Sequence, residues 1–264
     1  VSAKNVPENF GPGRLRGLNS YIWVLPLIMF FFAWEATVRL GMLSQSKIPL
    51  FSKVVSAFLL GLTSESFVFF VFQSFINLTF GILLAVLAAL PLALFAGLKV
   101  KFDSAFTPAI MLVGALPDLA LLPILVMWIG PGNVAAVTMA AVCAFFPLFF
   151  TLREGTKSIP EEFFHVSTVF RSGKIDMLHK MIFPAILPNM ISGLRISFDF
   201  VWEVVLAIEL IASVSGIGTF INSSIGSGSL ESAFAGIMAI GIIALSVDRI
   251  VLATLESRIR RWQG

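Results

Sequence analysis

The feature that most constrains this chain is its series of uninterrupted apolar runs. A helix needs about 20 apolar residues to cross the hydrocarbon core of a bilayer. Six stretches meet that length, at about residues 21–40, 67–98, 105–129, 133–152, 188–213 and 232–255. A membrane barrel would instead show short segments of alternating hydrophobicity. The sequence therefore predicts an all-α, polytopic membrane protein with about six transmembrane helices. Composition agrees. Of 264 residues, 58% are hydrophobic and 12% charged, against about 25% charged in soluble domains. Mean hydropathy is +0.96. A water-soluble fold of this length has too much surface to hide so much apolar material. An ordinary soluble enzyme, a disordered chain and a nucleic-acid-binding module are excluded, and membrane lipid is the expected solvent.

The charges orient the spans. With the N-terminus in the cytoplasm, fourteen Lys and Arg residues fall inside. They are Lys4, Arg14 and Arg16, then Lys99 and Lys101, then Arg153, Lys157, Arg171, Lys174 and Lys180, and finally Arg249, Arg258, Arg260 and Arg261. Only Lys47 and Lys53 fall outside, while Arg39 and Arg195 lie near helix ends. Basic residues concentrate on the cytoplasmic side of membrane proteins, so both termini are expected there. Residues 1–20 read as a cytoplasmic N-terminal segment and 21–264 as the transmembrane domain. Residues 1–20 are polar, and the first apolar run is too long for a signal core, so no cleavable signal is expected. The single cysteine, Cys143, lies in an apolar run.

Within the second span, Gly81, Ala85, Ala89, Ala93 and Gly97 recur every four residues. A stripe of small residues lets another helix approach closely. Pro117 and Pro123 are expected to kink or break the third span. Broken helices at membrane depth are tolerated where they are buried or line a cavity.

Residues 153–187 form the longest cytoplasmic loop and read as two short amphipathic helices. Ser158 and Glu161 have capping-box spacing, with Pro160 in the first turn. Phe163, Phe164, Val166, Val169 and Phe170 follow at near-helical spacing, and Ser172-Gly173 signals a turn. Ile175, Leu178 and Ile182 mark a second helix, which Pro184 and Pro188 are expected to close. Periodicity leaves two readings open. The aromatics pack on the protein's own spans, or they form a helix that docks in a partner's groove.

This loop resembles the coupling loop of permease subunits of ATP-binding-cassette importers. The family pattern is Glu-Ala-Ala, a Gly four residues after the last Ala, and a closing Ile-x-Leu-Pro. Here those slots hold His165, Val166 and Ser167, then Arg171, then Met181-Ile182-Phe183-Pro184. Only the proline is kept. The flanks are more telling. Ala115-Leu116-Pro117, Leu119-Ala120-Leu121-Leu122-Pro123, Trp128-Ile129-Gly130, Pro184-Ala185-Ile186-Leu187-Pro188, Gly193-Leu194-Arg195, Ala207-Ile208-Glu209-Leu210-Ile211-Ala212 and Gly216-Ile217-Gly218 resemble the nitrate/sulfonate/taurine branch in order and spacing.

The resemblance implies a type I importer permease, the transmembrane subunit of an ATP-driven, substrate-binding-protein-dependent importer in a prokaryotic inner membrane. It implies a pair of permease copies, as a homodimer or with a second permease, around the path of a small solute. It also implies two cytoplasmic ATPase subunits that carry ATP and Mg, an extracytoplasmic binding protein, and no cofactor in this chain. Glu161, Glu162, Phe163, Phe164, His165, Val166, Ser167, Phe170, Arg171 and Gly173 would then contact the ATPase.

Ionisable residues inside spans are costly and point to function. Asp118, Asp199, Glu203, Glu209 and Arg195 are the candidates for the translocation path, with Glu35 and Asp248 also within spans. Arg195 and Asp199 stand i, i+4 and can pair, with Glu203 one turn further on. An acidic path suits a cationic or neutral solute better than an oxyanion. The Gly/Ser-rich segment 213–231 reads as a gate, a platform for a binding protein, or a plain turn. No G-x-x-x-x-G-K-[ST] loop, H-E-x-x-H or G-x-S-x-G motif occurs, so neither ATP hydrolysis by that loop nor those enzyme chemistries are expected. A self-sufficient secondary transporter using the intramembrane acids is the alternative. Such folds often carry inverted repeats, which the two halves do not show.

Overall fold

The computed structural model describes residues 24–212, 214–255 and 257–258. The N-terminal segment 1–20 and the basic residues Arg260 and Arg261 lie outside them. Among the described residues every regular element is helical: α1 (Val24–Arg39), α2 (Phe51–Gly61), α3 (Glu65–Leu98), α4 (Val100–Gly114), α5 (Asp118–Ile129), α6 (Asn133–Lys157), α7 (Glu161–Val169), α8 (Lys174–Met177), α9 (Phe183–Ala212), α10 (Ile217–Gly226) and α11 (Leu230–Ser246). A π turn, Leu178–Ile182, joins α8 to α9, and another, Val247–Leu252, extends α11.

Three helices, α3, α6 and Leu230–Leu255, are long and apolar enough to cross a membrane. Two bent pairs bring the number to five: α4 with α5, bent by 90°, and Lys174–Ala212 with α10, bent by 44°. The first span expected from the sequence is represented by the 16 residues of α1. Its C-terminal end is tied to α2, because the Glu35 carboxylate, paired with Arg39 Nε at 2.7 Å, accepts bonds from Ser52 N at 3.1 Å and Ser52 Oγ at 2.9 Å.

The core is built from α3, α6 and α9. The small-residue stripe on α3 meets α6, as its spacing predicts. Ala85, Ala89 and Ala93 are buried. A methyl added at Gly81 would collide with the Cβ of Ala140, and one at Gly97 with the Thr156 side chain. Such contact distances are reached only where both surfaces are small. Helix α9 also packs on α6, where the Ser197 hydroxyl donates to the Ala144 carbonyl at 3.1 Å.

Three sequence expectations need correction. The third span breaks at Ala115–Pro117, ahead of the helix that begins at Asp118, while Pro123 lies inside an intact α5. Proline steers the residue before it out of helical geometry, which places the break at Leu116. The Ser158–Glu161 capping box does not form. Ser158 instead closes α6, its hydroxyl donating to the Gly155 carbonyl at 2.9 Å. The second loop helix is not separate either. Pro184 and Pro188 both fall within α9, and the helix reaches them through the π turn. Its shifted bonding register lies directly before Pro184, where a donor is lost in any case.

Candidate functional site

Helix α7 points an apolar face away from the rest of the chain. Phe163, Val166 and Phe170 are 54%, 53% and 77% exposed, and their i, i+3, i+7 spacing puts them on one side. Glu161, Glu162, His165, Arg171 and Gly173 are exposed around them. Phe164 and Ser167 turn the other way. Phe164 packs against the core and lines a 620 Å³ cavity with Pro91, Leu94, Phe95 and Leu98 of α3. Grouped with the docking aromatics by sequence, Phe164 belongs to the internal face of the helix.

The end of α7 has a specific geometry. Arg171 lies at φ +52°, in the left-handed region. The Arg171 N–H donates to the Thr168 carbonyl at 3.0 Å and the Ser172 N–H to the Ser167 carbonyl at 2.9 Å. These two bonds make a Schellman motif, whose left-handed position favours glycine. Arg171 thus fills the family's Gly slot and keeps the conformation that a glycine would serve.

At the root of this loop, Asp103 of α4 binds two cations of α6. Its carboxylate accepts Arg153 Nε at 2.5 Å and Nη2 at 2.7 Å, Lys157 Nζ at 2.6 Å and Thr107 Oγ1 at 2.6 Å. Sequence reasoning missed this residue. The available signal was an aspartate in a basic turn with a threonine four residues on.

The intramembrane acids divide into two groups. Asp199 and Glu203 are both exposed, one turn apart on α9. The half-buried Asp118, at the start of α5, lies near the Cys143 thiol and Glu203. Arg195, on the same helix, is bound by Asp248 of the second π turn, with Nε–Oδ1 at 2.6 Å and Nη2–Oδ2 at 2.9 Å. The structure therefore gives Arg195 a partner across helices, besides the i, i+4 neighbour that spacing predicts.

Glu209 stands apart. Expected beside the path, it is fully buried between helices. Ser74 Oγ donates to its carboxylate at 2.7 Å, Asn77 Nδ2 at 3.4 Å and the Gly218 N–H at 3.1 Å. Ser74 also accepts the Ile217 N–H at 2.8 Å. The first amides of α10 are orphan donors at a helix start, and Ser74 and Glu209 satisfy two of them. Gly216 is required because a side chain there would overlap the Glu209 carboxyl. The Gly216-Ile217-Gly218 segment is therefore a pinned helix start rather than a free turn.

Comparison with known proteins decides the family. The family described as "Binding-protein-dependent transport system inner membrane component" matches residues 81–261. The chain belongs to this family. It is the permease component of a binding-protein-dependent ABC import system for small solutes, multi-pass in the inner membrane, and the ATPase is a separate subunit that binds the ATP. The permease is 26% identical over 256 residues to SsuC of Bacillus subtilis (strain 168), a protein named for aliphatic sulfonates transport, covering 96% of this chain and 91% of that one. It is 26% identical over 251 residues to the nitrate import permease protein NrtB of Synechococcus elongatus, covering 90% and 88%. It is 29% identical over 180 residues to the taurine transport system permease protein TauC of Escherichia coli (strain K12), covering 68% and 65%. Its fold is similar to a chain of the MetNI methionine ABC transporter, with a TM-score of 0.55 at 15% identity over 70% of this permease and 93% of that chain.

Proposed function

We propose that two copies of this permease enclose the solute path along the exposed face of α9, and that α7 docks in the ATPase. The observation that supports the path is the exposure of Asp199 and Glu203 on a membrane-spanning helix, with Asp118 beside Glu203. A charged side chain facing lipid costs about 2.5–3.5 kcal/mol even on the gentlest scales. A wet path shared with a second copy removes that cost. Arg195 is neutralised by Asp248, so the path is net acidic and favours a solute without net negative charge. The nitrate and aliphatic sulfonates in the relatives' names are anions, which an acidic path would not favour.

The docking surface comprises Phe163, Val166 and Phe170, rimmed by Glu161, Glu162, His165, Arg171 and Gly173. Buried aromatic anchors often contribute more than about 2 kcal/mol each to an interface. Both termini lie on the same side as α7, in the cytoplasm, by the distribution of basic residues. Pull-down of the ATPase tests the docking reading. Phe163→Ala with Phe170→Ala should release it, and full retention overturns the reading. Reporter fusions at Gly264 test the orientation, which fails if they are active only in the periplasm.

A further inference from the structure

Asp103 is placed to do more than hold a turn. It is only 9% exposed, and both carboxylate oxygens are taken, Oδ1 by Arg153 and Thr107 and Oδ2 by Arg153 and Lys157. Lys157 is the last residue of α6. Three residues separate it from the start of α7, and Ile159 among them is buried. The partners of Asp103 are thus the root of the docking helix. On its own side, Asp103 sits in the first turn of α4. That helix spans about 22 Å, at 1.5 Å per residue, with Pro108 in its interior. Its far end touches α6 again, where a methyl on Gly114 would lie 2.8 Å from the Phe146 ring. Immediately beyond come the 90° break and Asp118.

We infer that Asp103 is a positioning residue for coupling: its carboxylate ties the root of α7 to α4, so that displacement of α7 is delivered to the break at Ala115–Pro117 and to Asp118. This rests on the proposal that α7 meets the ATPase. A rigid element with discrete arrangements at both ends carries coupling of this kind. Without the tie, α6 moves at its root while α4 is left behind. Lys157 and Arg153 act with Asp103, and the Asp103–Thr107 bond fixes the carboxylate's orientation within α4.

The test uses the whole transporter, with its ATPase and binding protein, in proteoliposomes. Leu116 is partly exposed at the break, and Leu116→Cys in a Cys143→Ser background gives one site for a water-soluble maleimide. The readouts are labelling rate with and without ATP plus vanadate, and ATP hydrolysis. Asp103→Asn should cut the nucleotide-dependent change in labelling by about fivefold, within the range of network couplings, while hydrolysis persists. Lys157→Gln should act in the same direction, and Lys157→Arg should restore the wild-type change. A merely structural pair would alter assembly yield but leave that change intact in the assembled fraction. If Asp103→Asn fails to assemble, Lys157→Gln decides, since the Lys157 side chain is 37% exposed and leaves Arg153 in place. A wild-type labelling change in either assembled variant overturns the inference. Failure of the α7 reading is seen separately, as ATPase retention by the Phe163 and Phe170 variants.

Discussion

The Ser74 hydroxyl donates to the Glu209 carboxylate over 2.7 Å, joining α3 to α9 across 135 residues of sequence. The same carboxylate takes the Gly218 N–H, so one side chain holds three helices together. Ser74→Ala removes a donor from a buried carboxylate and an acceptor from the Ile217 N–H. Leaving a buried polar group unsatisfied costs about 1–3 kcal/mol. The variant should therefore melt at lower temperature in detergent. Gly216→Ala should be worse, since its methyl overlaps the Glu209 carboxyl. Unchanged melting in both would mean that the α10 start is held by other contacts.

Replacing Arg171 by Gly should stabilise the end of α7. Arg171 holds φ +52°, a conformation that costs a non-glycine residue about 1–2 kcal/mol. Glycine removes that cost, set against its greater freedom in the unfolded chain. Slower amide exchange at positions 171 and 172 in the glycine variant is the expected result. Faster exchange would show that the arginine side chain, rather than the Schellman bonds, holds the turn.

The α3–α6 seam should tolerate no growth. Ala89 is fully buried in the stripe. Ala89→Leu adds three carbons to a closed helix contact, and overpacking costs about 1–3 kcal/mol or more. Monodisperse protein on size exclusion should be lost. Normal assembly would imply that α3 and α6 separate more readily than the stripe suggests.

Hydrophobic length is a local property, so the runs behind the three long helices and the two bent pairs were legible in the sequence, while the first expected span appears only as the 16-residue α1. The stripe was legible too, because Gly81 and Ala89 repeat with the helix turn whatever faces them. The bend between α4 and α5 was legible in place but not in angle. Pro117 marks where bonding stops, while the neighbours of α4 and α5 set the 90°. The exposed acids Asp199 and Glu203 could be seen as a pair on one face. The role of Glu209 could not, because its partners Ser74 and Asn77 lie 135 and 132 residues away. Asp103 was hidden for the same reason, with partners 50 and 54 residues along the chain. The inward turn of Phe164 was hidden because α7 carries apolar side chains on both faces, and only packing tells them apart.

That division of α7 makes a sharp contrast testable. Phe164 packs on the core, whereas Phe170 is 77% exposed. Phe164→Ala opens the cavity beside Leu98 and Ile182 and should lower the melting temperature of the isolated permease. Phe170→Ala should leave melting unchanged, since truncating an exposed side chain changes stability by about 0.5 kcal/mol or less. Its effect should fall on ATPase binding instead. The reverse pattern would place Phe164 at the interface.

The last prediction concerns the second copy. If α9 faces its counterpart across the path, residues beside Glu203 on that face come near their own equivalents. Phe200 is half exposed there, one residue after Asp199. The single native thiol, Cys143, is buried, so Cys143→Ser gives a clean background and keeps a hydroxyl near Asp118. Phe200→Cys in that background should form a disulfide-linked or bis-maleimide-linked dimer in membranes. Val169→Cys, at 79% the more exposed of the two but on α7, should not cross-link to itself if α7 docks in the ATPase as proposed. Closed point-group symmetry requires that a residue near the two-fold axis meet its own copy. Phe200 satisfies that condition only if the acidic face of α9 is the one turned inward. Efficient cross-linking from Val169 with none from Phe200 would place the axis elsewhere and turn Asp199 and Glu203 away from the path.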